Sequence, residues 1–210
     1  VSLQSWWIFV CATFLISAMP GPNMLHVMSQ GMRHGLPRAS FTMAGCMLAL
    51  LSLFGLSAMG MSALLSALPQ LLTAIKIAGA LYLIWIGIKA WRDDSPPIDI
   101  DSGDIEPARK TRAELFRAGF LISVSNPKAV IFAAAFFPQF VSPALPKAPQ
   151  FAILLITFVV IEMSWYLTYA TGGRTLARFM REARWQRLFN RATGGLFIIF
   201  GLSLLAWRQK

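Results

Sequence analysis

Acidic side chains are scarce in this chain. Nine Asp and Glu stand against nineteen Lys and Arg in 210 residues, and charged residues of both signs make up 13%. A soluble domain of this size carries about 25% charged residues, so an ordinary water-soluble fold is excluded. Cysteine is nearly missing: Cys11 and Cys46 both fall in apolar stretches and no CxxC occurs. That excludes a disulfide scaffold or a zinc ribbon and leaves two small packing groups. The two histidines, His26 and His34, have no metal-ligand spacing. No GxSxG, HExxH or aspartate pair stands in the apolar stretches, which removes the usual machinery of an intramembrane enzyme and any cofactor motif.

What the chain does have is apolar length. Hydrophobic residues make up 56%. Trp6–Met28 and Phe41–Ile75 carry no Asp, Glu, Lys or Arg, and Phe151–Gly173 carries Glu162 alone. A bilayer-crossing helix takes about 20 apolar residues. The runs predict six spans, at about 5–29, 40–66, 70–91, 115–141, 149–171 and 189–208. Trp6 onward reads as a retained first span, not a signal peptide, because no basic residue precedes it. Polar turns are expected at 33–38, at Leu68-Pro69-Gln70 and over 142–149. A Pro-rich, acidic linker over about 92–114 separates repeat 1 (about 5–91) from repeat 2 (about 115–208) within a single membrane domain. Its acids do not follow a calcium-loop spacing, and a solvated tether is expected.

The net charge of +10 could suggest nucleic acid, but the basic residues lie between apolar runs and form no soluble face. Membrane lipid is the expected partner. Fourteen Lys and Arg fall in the 1–2 turn, the linker and the 5–6 connection, against four (Lys76, Lys147, Arg208 and Lys210) on the other side. The positive-inside rule places both termini outside and the linker in the cytoplasm. The six arginines from Arg174 to Arg191 serve as an orientation anchor or as a lipid-binding patch. Small residues at Ser17, Gly21, Gly45, Ala49, Gly79, Gly87, Gly194, Gly195 and Gly201 suit close helix approach, and they leave a homo-oligomer open.

Two segments rhyme. Phe14-Leu15-Ile16-Ser17 recurs as Phe120-Leu121-Ile122-Ser123, 106 residues later. The first copy runs into Pro20-Gly21-Pro22-Asn23, the second into Asn126-Pro127-Lys128. With three spans per half, the second half enters the membrane from the opposite side. The expected architecture is therefore an all-α inverted 3+3 repeat with broken first and fourth spans, the pattern that points to a transport site. Proline removes a helical hydrogen bond. A freed carbonyl facing lipid costs several kcal/mol, so the two breaks should face a shared wet pocket. A zwitterion suits such a place, its carboxylate at a half-helix N-terminus and its ammonium at carbonyls. The candidate solute-binding residues are Pro20, Gly21, Pro22, Asn23, Asn126, Pro127 and Lys128.

Two charges fall mid-span, Lys128 and Glu162, where each costs at least about 2.5 kcal/mol. Spans four and five are antiparallel neighbours, so these charges could meet, as a structural pair or as a proton-titrating one. Glu162, Trp165, Tyr166 and Tyr169 share one helical face, and Trp165 and Tyr169 could stack on an ammonium. His26, one turn past Asn23, could relay protons or simply bond to a neighbouring helix. Glu162, Lys128 and His26 are the proton-coupling candidates. The readings that remain are secondary-active efflux, a channel or carrier for another solute or cation, and, with least support, an intramembrane enzyme.

The chain resembles the LysE/RhtB family of amino-acid exporters. The resemblance rests on Pro20-Gly21-Pro22-Asn23, the turn Ser29–Leu36, Ser125-Asn126-Pro127-Lys128, and Phe136-Phe137-Pro138-Gln139-Phe140-Val141. The acidic-aromatic face of span five and Thr193-Gly194-Gly195 with Gly201-Leu202 fit as well. It covers essentially the whole chain. It implies a multi-pass inner-membrane exporter of amino acids or close derivatives driven by the proton gradient, and not an enzyme. The word "amino acid" comes from the resemblance; composition and spacing indicate only a membrane bundle with paired breaks.

Overall fold

The computed structural model describes residues 1–67, 69–92, 110–142 and 144–206, and every regular element among them is helical. The chain runs α1 (Leu3–Ala18), α2 (Pro22–His34), α3 (Leu36–Ala67), α4 (Pro69–Trp91), α5 (Arg112–Val124) and α6 (Pro127–Ile131). A π-helical turn (Phe132–Phe136) and a 3-10 turn (Phe137–Phe140) follow, then α7 (Lys147–Arg181) and α8 (Ala183–Ala206).

The prolines act where the sequence places them. α1 ends at Ala18, Met19 turns extended, and α2 begins with Pro22 as its first residue, at 55° to α1. α5 ends at Val124 and α6 begins with Pro127, again as first residue, a 59° bend between the two parts. Proline suits that position because the N–H it lacks has no intrahelical partner there. Thr111 caps α5, accepting from the Glu114 backbone N–H while the Glu114 carboxylate accepts from Thr111.

Two helical stretches are long and apolar enough to cross a membrane by themselves, Leu36–Met59 and Lys147–Gly173, and the two bent pairs qualify jointly. Two to four crossings are thus visible among the described residues, against the six expected. Most of the acidic linker lies outside the described residues, as do Leu68, Arg208 and Lys210 and the side chains of Lys76, Arg174, Arg178 and Arg181.

The connections depart from the expected turns in two places. Between α2 and α3 only Gly35 leaves helical geometry, with φ of 72°, a left-handed conformation that glycine adopts without penalty. The connection expected near 172–188 is helix instead. α7 continues to Arg181 and α8 starts at Ala183. Arginine, leucine and alanine favour helix, and no proline interrupts them. At about 1.5 Å per residue, the 35 residues of α7 reach about 52 Å, well past a hydrocarbon core of about 30 Å.

Three helix pairings carry the bundle: α4 with α8, α3 with α5, and α2 with α7. Each is seated on glycine. A Cβ on Gly45 would strike the Phe116 carbonyl and one on Gly119 the Thr42 carbonyl. One on Gly31 would enter the Ala170 backbone, and Gly87 and Gly194 each face the other's carbonyl. Only glycine allows backbones this close. Gly195 carries less of this load than the sequence suggested, an added Cβ there meeting the Trp91 ring. The core beyond the breaks is aromatic. Phe54 packs on Phe137 and Phe158 at 4.6 Å each, and Phe9 on Phe140 at 5.1 Å.

The two ends of the bundle are distinct. At one, the Val1 nitrogen donates to Gln150 Oε1 at 3.3 Å, and Gln150 also closes the 142–150 turn by accepting from the Ser142 N–H. At the other, the Arg38 guanidinium donates to the Lys110 carbonyl, and Arg112 lies over the Phe41 ring. The 1–2 turn and the start of α5 therefore share a side.

Candidate functional site

The two breaks meet. Asn23, in the first turn of α2, and Asn126, which caps α6, are both buried, and Asn126 Nδ2 donates to Asn23 Oδ1 at 3.0 Å. Asn126 Oδ1 accepts from the Lys128 backbone N–H at 3.0 Å, fixing the start of α6. Asn23 Nδ2 donates to the Tyr166 hydroxyl at 3.4 Å. Tyr166 and Ser17 lie beside the Glu162 carboxylate. A hydrogen-bonded chain thus runs from the α6 N-terminus through both asparagines to Tyr166, which lies beside Glu162.

The carbonyls freed at the end of α1 are not open. Lys128 Nζ donates to the Ile16 carbonyl at 3.0 Å and to the Met19 carbonyl at 3.4 Å. Tyr169 OH donates to the Ala18 carbonyl at 2.7 Å. An ammonium at a helix C-terminus is favoured by the aligned peptide dipoles, and a carbonyl without a partner in hydrocarbon is costly. Both requirements are met by the chain itself. Lys128 and Tyr169 thus stand at the carbonyls where the sequence led us to expect a solute ammonium.

Lys128 and Glu162 do not pair directly. Both face the same turn of α1, Lys128 donating to the backbone of Ile16 and Met19 and Glu162 lying beside the side chain of Ser17. They lie close enough to feel each other's charge.

The remaining sequence candidates divide. Gly21 lies against Lys128, where an added Cβ would come 3.4 Å from Nζ. Pro20 is half-buried beside it, whereas Pro22 and Pro127 are exposed and serve to start helices. Trp165 packs on Phe14 at 5.1 Å and on Tyr169 at 6.4 Å, at the edge of the site. His26 is half-buried on α2, and the chain from Lys128 to Glu162 does not pass through it. Ser17, Cys46 and Tyr166 also stand at the site, beyond the residues the sequence singled out for binding or coupling. Tyr166 is fully buried and joins Glu162 to Asn23; its spacing of four from Glu162 was the available signal. Cys46 donates to the Gly119 carbonyl at 3.3 Å beside Ser123 and Tyr166.

Beside Lys128 lies a hollow of about 10 Å³, room for one water, between Ile16, Leu83, Ile131, Phe132 and Phe197. Lys128 supplies the polar side chain in its wall. The shared wet pocket expected between the breaks is thus reduced here to a small and mostly apolar space. No group of His, Cys, Asp and Glu among the described residues is arranged to hold a metal ion.

A family model described as LysE type translocator matches residues 14–207. The homoserine/homoserine lactone efflux protein of Salmonella typhi is 30% identical over 209 residues, covering the whole of both chains. The leucine efflux protein of Enterobacter sp. (strain 638) is 29% identical, over 95% of this chain and 94% of its own. An uncharacterized membrane protein of Vibrio cholerae is 29% identical, over 97% and 98%. No solved structure matches the chain.

Proposed function

The chain belongs to the LysE type translocator family, and from that premise we propose that it exports amino acids or close derivatives across the bacterial inner membrane, in exchange for protons. The observation that carries this reading is the direct bond between the two broken helices, Asn126 to Asn23, with the half-buried Lys128 and the buried Glu162 to either side. Relatives covering its full length are named for the efflux of homoserine, homoserine lactone and leucine, which supports small amino-acid-like solutes.

An inverted 3+3 repeat fits the packing. Exchanging the halves, with α1 in place of α5 and α2 in place of α6, turns the α3–α5 contact into α7–α1 and the α2–α7 contact into α6–α3, and leaves α4–α8 on itself; all of these contacts are present. We assign the solute to the neighbourhood of the two breaks, with Gly21, Asn23, Asn126, Lys128 and Tyr169 nearest and Pro20, Pro22, Pro127 and Trp165 around them. Glu162 is the proton-coupling group, with Lys128 as its charge partner and His26 as the outlying candidate. Protonating Glu162 removes the negative charge that holds the Ser17 and Tyr166 hydroxyls. Tyr166 then loosens its hold on Asn23, and the two breaks are free to shift. The orientation with the linker in the cytoplasm follows from the basic residues, since Arg38 and Lys110 share an end of the bundle.

The test is export from cells. Cells expressing the chain are loaded with dipeptides, and the release of each amino acid is timed against cells with an empty vector. Faster release of at least one amino acid, lost when the pH gradient is collapsed, is the expected result. Release no faster than the control across the panel would sink the reading.

A further inference from the structure

The hollow beside Lys128 has a chemistry of its own. Its walls come from two bodies. On one side α4 and α8 supply Leu83 and Phe197, on the other Ile16 closes α1 and Ile131 and Phe132 lead into the π-helical turn. α4 and α8 are locked together by mutual glycine contacts at Gly87 and Gly194 and by Gly201 against the Ala80 backbone. The pair is therefore able to move as one piece, and a seam between such pieces is a common place for a ligand site. The opposing wall is π-helical over Phe132–Phe136. A single π turn inside a helix is rare and recurs at functional sites. Returning it to α-helix shifts the register of its side chains and changes the shape of the wall.

Lys128 stands at the mouth of this apolar space with hydrogen-bonding capacity to spare. An ammonium has three N–H donors. Two are taken by the Ile16 and Met19 carbonyls. Neither is a charge, and Glu162 acts on Lys128 through space without a direct hydrogen bond. A cation in a membrane whose counter-charge is not in direct contact is costly, and a bound carboxylate would give Lys128 a direct partner for its third donor.

We propose that this hollow seats the apolar side chain of the exported amino acid while Lys128 holds its carboxylate, so that the seam between α4–α8 and the π-helical turn sets specificity. The assignment rests on the amino-acid export reading and deepens it. The solute class is a zwitterion with an uncharged aliphatic or thioether side chain. A cationic side chain is rejected because it meets a lysine and no carboxylate. A compound with the carboxylate masked, as an amide or a lactone, is disfavoured because Lys128 gains no direct anionic partner. The solute ammonium faces toward Ser17 and Glu162, one residue along α1. The hollow must widen to admit a side chain, which the seam permits without disturbing the glycine-seated pairs.

The test uses the purified full chain in liposomes with an imposed pH gradient. Efflux of labelled leucine is competed from inside with leucine, methionine, leucinamide and lysine. Leucine and methionine are expected to compete about tenfold to hundredfold better than leucinamide or lysine, the range for a hydrogen bond to a charged group. In Lys128→Gln the preference for leucine over leucinamide should collapse toward parity. In Leu83→Phe, which fills the hollow, leucine efflux should fall more than alanine efflux. That split in side-chain size does not arise from misfolding alone. The wild-type panel stands even where Lys128→Gln fails to fold. Equal competition by leucinamide or lysine, or efflux of lysine but not leucine, overturns the specificity assignment and leaves the export reading intact. Efflux of no amino acid at all overturns both.

Discussion

Asn126 donates its side-chain amide to the side-chain carbonyl of Asn23 across 3.0 Å, and the two residues belong to helices that break in opposite halves of the chain. Each asparagine has a second partner: Asn126 accepts from the Lys128 N–H, and Asn23 donates to Tyr166. The bond is thus a junction through which the α6 start and the Glu162 side of α7 are held together.

Removing one asparagine should be worse than removing both. Asn23→Ala leaves the buried Asn126 amide without an acceptor, at a cost of about 1–3 kcal/mol. Asn126→Ala does the same to Asn23 and also uncaps α6. The double variant leaves no orphaned partner between them. Thermal unfolding in detergent measures this. The double variant should lose less than the sum of the single losses, and strict additivity would deny the junction.

Glu162 should divide exchange from gradient-driven flux. In Glu162→Gln, the side chain keeps its shape but carries no titrating carboxyl. Counterflow of labelled solute in liposomes should persist while efflux driven by an imposed pH gradient falls to background. Full pH-driven efflux in this variant would remove Glu162 from the coupling role.

Glycines should differ sharply by position. Gly45→Ala drives its methyl into the Phe116 carbonyl of α5, so the α3–α5 pair has to separate. Overpacking of this kind costs about 1–3 kcal/mol. Gly55 has nothing within 4 Å of an added Cβ, and alanine there should be neutral or stabilising by up to about 1 kcal/mol. Yield and thermal midpoint of the two variants compare them directly. Equal effects would mean α3 does not lie against α5 as described.

Side-specific labelling tests the orientation. After Cys11 and Cys46 are replaced by Ser, single cysteines are placed at Thr111 and Leu145, both exposed and at opposite ends of the bundle. A membrane-impermeant maleimide should label the Leu145→Cys protein in intact spheroplasts and the Thr111→Cys protein only after lysis. The reverse pattern would invert the chain in the membrane.

The breaks were legible because proline acts locally. Pro22 and Pro127 lack an N–H wherever the chain goes, so each can only begin a helix, and the paired motifs marked both positions. Glu162 and Lys128 were legible because charge inside an apolar run is rare. The length of α7 was not legible: the sequence puts the end of span five at about 171, but the helix runs on to Arg181, with Gly173 packed against Met28 and Met32 of α2. Tyr166 was visible as a neighbour of Glu162 on one helical face, yet its partner Asn23 lies 143 residues away.

By itself, the sequence determined that this is a helical membrane chain, where its two helices break and which charges lie in its apolar runs, because composition, helical period and proline geometry are local properties. Only the tertiary structure decided what the breaks touch. Glycine contacts select which helices lie together, and that choice delivers Lys128 and Tyr169 to the carbonyls freed at the end of α1, ties Asn126 to Asn23, and leaves the small apolar hollow between α4–α8 and the π-helical turn.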